Sequence, residues 1–163
     1  MHPLYGGRIK LNEEEVKSFV ERFFEKHGFK VFREAPIHGY RVDLLAEGDG
    51  KKFYVECRGD NYLRSHEIHV MIGQIVSEMY EVGSDIHYCL AMPYSLATYL
   101  MGFSTEGIKA LNLHLIVVLD RGLWEGDVCY LDTEGTDKFI QELKSVDSRD
   151  WYLKILNLRG SPN

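Results

Sequence analysis

The sequence predicts one α/β domain built on a central mixed β-sheet with helices on both faces. Three observations lead there: a helix with a well-formed start opens the patterned part of the chain, two β-rich runs joined by a Gly-containing turn follow it, and helical and apolar β-type runs then alternate. At 163 residues, 45% hydrophobic and 12% aromatic, the chain can fill one core.

The first helix is marked by Asn12 as N-cap, Glu15 at the third helical position and acidic residues in the first turn. Val16, Phe19, Val20, Phe23 and Phe24 recur at helical spacing, and Gly28 is the expected stop. Phe29–Phe32 reads as a short strand and Ala35–Gly39 as a loop. Tyr40–Ala46 is a β-run, Glu47-Gly48-Asp49-Gly50 has turn chemistry, and Lys51–Arg58 is the second arm of a hairpin.

After the break at Gly59-Asp60-Asn61, Ser65 can cap a second helix whose core face is Ile68, Met71, Ile72, Ile75, Val76 and Met79, with Gly83-Ser84-Asp85 as its stop. Ile86–Met92 is a short apolar run suited to an interior strand. Ser95–Met101 and Thr105–Leu111 read as short helical pieces, and Leu113–Leu119, the most β-rich run, as a central strand. An edge strand at Val128–Leu131 and a helix near Thr136–Ser145 follow, and Trp151–Leu158 is an apolar segment of open type. Residues 1–145 are expected to form the domain and 146–163 an extension packing on it or on a partner.

Composition limits the function classes. There are 19 Lys and Arg against 25 Asp and Glu, a formal charge of −6 spread over both parts of the chain. Phosphate binding draws on Lys and Arg, so this balance argues against tight, nonspecific duplex binding. No run approaches the ~20 apolar residues of a membrane span, and the amino terminus lacks the apolar stretch of a secretory signal, so a cytoplasmic protein is expected. Cys57, Cys89 and Cys129 are far apart, each in an apolar run, and read as small buried hydrophobes.

Two charges stand where burial is expected: Asp43 within Val42-Asp43-Leu44-Leu45 and Glu56 within Tyr54-Val55-Glu56-Cys57. Side chains alternate along a strand, so Tyr54, Glu56 and Arg58 share one face while Phe53, Val55 and Cys57 face the core on the other. Pairing around the Glu47–Gly50 turn brings Asp43 toward Glu56. Two adjacent carboxylates repel unless a proton or a cation lies between them, and hard oxygen donors suit Mg²⁺ or Mn²⁺. The alternative is a buried ion pair of Asp43 or Glu56 with Arg58 or Arg41.

These elements, in this order, resemble the PD-(D/E)XK superfamily of restriction-endonuclease-like proteins, nearest to its Mrr-like and archaeal Holliday-junction-resolvase-like branches. The matching pieces are a helix ending in Gly28-Phe29, the Asp43 strand, a strand ending Glu56-Cys57-Arg58, a helix bearing Gly73-Gln74, and the Gly107–Val118 helix and strand. They span about residues 13–131. The resemblance implies a metal-dependent DNA endonuclease hydrolysing phosphodiesters. Asp43 and Glu56 would hold Mg²⁺ or Mn²⁺, with the Cys57 carbonyl as a further ligand and Gln74 holding the site or the strand. It also implies a DNA partner bound weakly by this acidic chain alone, and a homodimer or protein partner supplying basic surface, with Trp151–Leu158 as a candidate contact.

The sequence departs from the family pattern at two places. Arg58 stands where the family carries lysine, and a guanidinium stays charged where an amine can lose its proton. The family's first-helix acid has no match in register: that place is Lys17, with Glu13 and Glu21 one turn to either side, and the row reads as a solvated salt-bridge ladder. Both departures favour a second reading, a nuclease-fold module without catalysis that binds nucleic acid or protein. Arg33, Arg41, Lys51, Lys52, Arg58 and Arg64 form a possible phosphate-binding strip or ordinary surface charge, and His66 and His69 lack a third metal partner.

Overall fold

A computed structural model of the chain describes residues 11–60, 64–121, 124–145, 155 and 158–163. Helix α1 (Glu13–Lys26) begins as its sequence predicts: Glu15 N–H donates to Asn12 Oδ1 at 2.8 Å, and Asn12 N–H to Glu15 Oε1 at 3.2 Å. Such a cap is worth about 1 kcal/mol. Val16, Val20 and Phe24 form its fully buried stripe.

Six strands follow in one sheet whose spatial order equals chain order: β1 (Lys30–Ile37), β2 (Tyr40–Gly48), β3 (Lys51–Cys57), β4 (Ile86–Pro93), β5 (Leu113–Arg121) and β6 (Trp124–Leu131). The β1–β2, β2–β3 and β5–β6 pairs are antiparallel, and β3–β4 and β4–β5 are parallel. The parallel pairs need crossovers, and these supply α2 (Arg64–Ser77) and then α3 (Tyr94–Ala97), a 3₁₀ turn (Thr98–Gly102) and α4 (Thr105–Ala110). Helix α5 (Thr133–Ser145) comes after β6. Helix α1 covers one face, closing a core with Leu44, Phe53, Val55, Ile116 and Val118. The other helices cover the opposite face, where Ile68, Met71, Ile75, Leu96 and Phe139 pack on Leu90, Leu115 and Val117. This is the expected mixed sheet with helices on both faces, consistent with a restriction-endonuclease-like arrangement. Among the described residues no helix is long and apolar enough to cross a membrane.

Several boundaries differ from expectation. The segment read as a loop at Ala35–Gly39 is mostly strand: β1 runs through Pro36 to Ile37, and only His38-Gly39 turns. An outermost strand tolerates Pro36 because its missing N–H breaks no ladder. Helix α2 ends at Ser77 rather than near Gly83: the Glu78 and Met79 amides bond three residues back, to Ile75 and Val76, in a closing turn. Strand β6 starts at Trp124, and α5 at Thr133, where Asp132 caps it through Gly135 N–H at 2.8 Å.

Most of Trp151–Leu158 lies outside the described residues. Ile155 is fully buried against the α2–α5 side, and Gly160 bridges to Tyr130. The described part of the extension therefore packs on the sheet and its helices.

The outer hairpin changes faces halfway. Arg33 lies on the α1 side, bonded to Glu14, Ser18 and Glu21, whereas Ala35, two residues on, belongs to the α2-side core. Their partners Leu44 and Val42 divide in the same way. Between them Glu34 holds a left-handed backbone, φ 50°, and breaks the two-residue alternation.

Candidate functional site

The β2–β3 ladder ends at Leu44↔Val55, one step before Asp43 would face Glu56. There the Asp43 side chain replaces the ladder: its Oδ2 accepts from the Cys57 N–H at 2.7 Å. Asp43 is buried, and a backbone amide that would otherwise be orphaned by the forking strands has a charged acceptor.

Helix α1 supplies the other partner. Lys17 Nζ lies 3.3 Å from Asp43 Oδ1, 3.1 Å from Glu34 Oε1 and 3.3 Å from Glu13 Oε1, with Glu14 at 3.6 Å. Burial by itself pushes the Lys17 amine down, but the hydrogen bond to Glu34, the charge and hydrogen bond of Asp43 and the Glu13 contact outweigh it. The ammonium is held above its usual range. The expected solvated ladder is thereby corrected: Lys17 is 6% exposed and faces the strand carboxylate, Glu13 stands beside it, and Glu21 turns away to Arg33 at 2.5 Å. An N-terminal approach of α1 makes this possible. A Cβ on Gly59, just past β3, would lie 2.5 Å from the backbone of Asn12 and Glu13, so only glycine lets the two segments touch.

Glu56 is 3% exposed, on the α2 side of the sheet, and Glu78 is buried with it. Burial, a hydrogen bond with Glu78 and the Asp43 charge hold the Glu56 carboxyl well above the usual carboxylate range. Glu78 is raised too, by burial first and then by Asp43, while its hydrogen bond with Glu56 works the other way. A proton on Glu56, donated toward Glu78, satisfies both signs. One oxygen of each, Glu56 Oε1 and Glu78 Oε2, has no hydrogen-bond partner. Glu56 thus lies between Glu78, its hydrogen-bond partner, and the charge of Asp43, whose own ion-pair partner is Lys17.

Arg58 does not pair with Asp43 or Glu56, which corrects the buried ion pairs weighed from sequence. Its Nε lies 3.2 Å from Glu67 Oε2, Nη1 donates to the Cys57 carbonyl at 2.8 Å, Nη2 donates to Gln74 Oε1, and Glu13 is 3.9 Å away. The guanidinium ties β3 to α2. Gln74 is therefore joined to Arg58 and through it to the Cys57 carbonyl.

The basic strip is not assembled. Arg33 is paired with Glu14 and Glu21, Lys52 with Glu81 at 3.6 Å, and Lys51 reaches toward Pro162 at the far end of β3. His69 packs at a tilt against Phe103.

A divalent cation can be tested against these donors. Asp43 and Glu56 are hard oxygen ligands, and Glu56 Oε1, buried with no hydrogen-bond partner, is an acceptor open to a cation. Among the described residues no three His, Cys, Asp or Glu side chains are gathered around one point. That donor set suits Mg²⁺, which keeps several waters and takes one or two carboxylates. The residues fit.

Sequence reasoning missed Lys17, Glu34 and Glu78 as neighbours of the carboxylates. Glu78 had a readable signal: it falls three residues after Ile75, in phase with the core stripe of α2, where an acid has no solvent. Glu34 had none, because its role depends on the left-handed backbone.

No protein-family model matches the chain, and no curated protein matches it. Two solved structures align with much of it. One is an XisH family protein from Nostoc punctiforme PCC 73102, with a TM-score of 0.49 and 17% identity, covering 69% of this chain and 96% of its own. The other is an fdxN element excision controlling factor protein from Anabaena variabilis, with a TM-score of 0.48 and 19% identity, covering 70% of this chain and 96% of its own.

Proposed function

We propose that the chain is a Mg²⁺- or Mn²⁺-dependent DNA endonuclease of the PD-(D/E)XK type, acting in the cytoplasm. The observation that carries the reading is the meeting of Asp43, Glu56 and Lys17 at one end of the β2–β3 hairpin. Asp43 and Glu56 hold the cation, with the Cys57 carbonyl as a further oxygen donor. When bound, the cation lowers the pKa of a coordinated water and offsets charge on the phosphate. Lys17, charged and fixed by Glu13 and Glu34, offsets the Asp43 carboxylate beside the cation. Arg58 and Gln74 position the Cys57 carbonyl rather than touch the substrate. Lys17 thus takes over the positive charge that the family places at the position of Arg58.

The test is cleavage of linear, branched and single-stranded DNA with Mg²⁺ and Mn²⁺. Wild type should cut, and Asp43→Ala and Glu56→Ala should each abolish cutting. Cleavage that survives both substitutions overturns the site.

One observation favours the second reading, a nuclease-fold module without catalysis. Asp43 Oδ2 accepts from the Cys57 amide, its Oδ1 pairs with Lys17, and the Cys57 carbonyl is already bonded to Arg58, so the protein's own donors satisfy much of the site. Calorimetric titration with Mn²⁺ separates the two, because the module takes up no metal. With a charge of −6, either form needs a second copy or a basic partner to hold long duplex DNA.

A further inference from the structure

The tip of the first hairpin carries an exposed aromatic stack. His38 and Gly39, with φ of 43° and 85°, make its two-residue turn. The His38 ring lies face to face with Tyr80, centroids 4.3 Å apart and planes 27° apart. Tyr40 stands 6.4 Å from the same Tyr80 ring. Tyr40 is 47% and Tyr80 54% exposed, so the three rings offer wide π-surface to solvent. Next to them Arg41 is exposed and, among the described residues, makes no ion pair, whereas Arg33, Lys52 and Arg58 all do.

The stack borders the carboxylates. Tyr40 precedes Asp43 by three residues on β2, about 10 Å at ~3.3 Å per residue. Tyr80 follows Glu78, the hydrogen-bond partner of Glu56, by two. Aromatic faces stack on unpaired bases whatever the sequence, and this attraction does not depend on net charge. Duplex binding asks for many phosphate-neutralising cations, and in duplex the bases are already stacked on one another. An acidic protein with three exposed rings at one hairpin tip is suited to the first and not to the second.

We propose that His38, Tyr40 and Tyr80 form a platform for unpaired bases. The substrate of the Asp43–Glu56 site is then a single strand or a single-stranded flap rather than continuous duplex. This rests on the nuclease reading for what happens to the strand, but binding is measurable without cleavage.

The experiment is fluorescence anisotropy of labelled oligothymidine and of a blunt duplex of the same length, in EDTA, followed by addition of Mn²⁺. Wild type should prefer the single strand, and Tyr80→Ala should weaken that binding roughly tenfold. Tyr80→Phe, which keeps the ring, should retain it, as should Tyr99→Ala, which removes an exposed ring on the 3₁₀ turn. Unchanged thermal midpoints establish that the variants are folded. Equal binding of both DNAs, no binding, or full binding by Tyr80→Ala overturns the platform. Tyr80-dependent binding with no cleavage on adding Mn²⁺ supports the platform and overturns the catalytic reading alone. Cleavage indifferent to Tyr80→Ala overturns the platform and leaves the catalytic reading intact.

Discussion

Lys17 Nζ on helix α1 lies 3.3 Å from Asp43 Oδ1 on β2, an ion pair joining a helix to the carboxylate that also receives the Cys57 amide. Removing one member of a buried pair costs more than the pair contributes, because the remaining charge loses its partner. Glu13 and Glu34 are partly exposed and are screened by water, which lowers the cost here. Lys17→Met should destabilise the protein by about 2 kcal/mol, read as a lower urea midpoint at neutral pH. It should also abolish Mn²⁺-dependent cleavage, while Lys17→Arg restores stability more than cleavage.

Glu56 sets a pH dependence whose sign is fixed. Its folded pKa is raised by burial, Glu78 and Asp43, so the native protein keeps a proton that the unfolded chain releases above the ordinary value of 4.5. Native stability therefore falls as pH rises from there toward the folded pKa. Glu78, also raised, adds to the fall. His87 and His114, held down by burial, act oppositely below their ordinary 6.5, so the carboxyl effect is read above neutrality, where the buried Cys57 and Cys89 thiols, also raised, add a fall of the same sign only near their ordinary 9.0. The thermal midpoint should drop between about pH 7 and pH 9, and Glu56→Gln, a neutral isostere, should flatten the slope. An unchanged slope in the variant places the proton elsewhere.

Arg58→Lys puts a lysine at the end of β3 in sequence but does not keep the Arg58 contacts in space. Arg58 holds Glu67, Gln74 and the Cys57 carbonyl at once, and an ammonium cannot reproduce that fork. The variant should lose about 1 kcal/mol of stability and gain no cleavage, because Lys17 already brings the charge to Asp43. A gain in Mn²⁺-dependent rate identifies Arg58 as the block.

Gly59→Ala tests the contact that seats α1. A Cβ there meets backbone atoms, which cannot rotate aside as a side chain does. Destabilisation of about 2 kcal/mol or more is expected, with loss of the Lys17–Asp43 contact. Chemical exchange at the Cys57 amide, whose acceptor is Asp43, should quicken in the variant and be measurable by hydrogen exchange.

Where local rules govern, the fold was legible. The α1 capping box, the Asp49-Gly50 turn and the apolar runs of β4 and β5 appear where their residues place them. Alternation along β3 put Glu56 opposite the Phe53–Val55–Cys57 face. Asp43 and Glu56 were legible as carboxylates within strands, whereas the enclosure of Lys17 beside Asp43 was not. Lys17 sits one position from Val16 at the margin of the buried stripe, and only the approach of Gly59 to the start of α1 decides that it is enclosed. Arg58 shares the Glu56 face, as alternation predicts, but its partners Glu67 and Gln74 lie on α2, which strand periodicity does not position.

The crossing of the outer hairpin from one face to the other at Glu34 has a mechanical meaning. Along most of its length the sheet insulates the α1 layer from the α2–α5 layer with apolar side chains. At Asp43 that insulation is interrupted: the Lys17 charge arrives from one side and the Glu56–Glu78 proton from the other. A proton lost or a cation gained at this point is felt by both layers at once, so the strand end acts as the molecule's electrical junction.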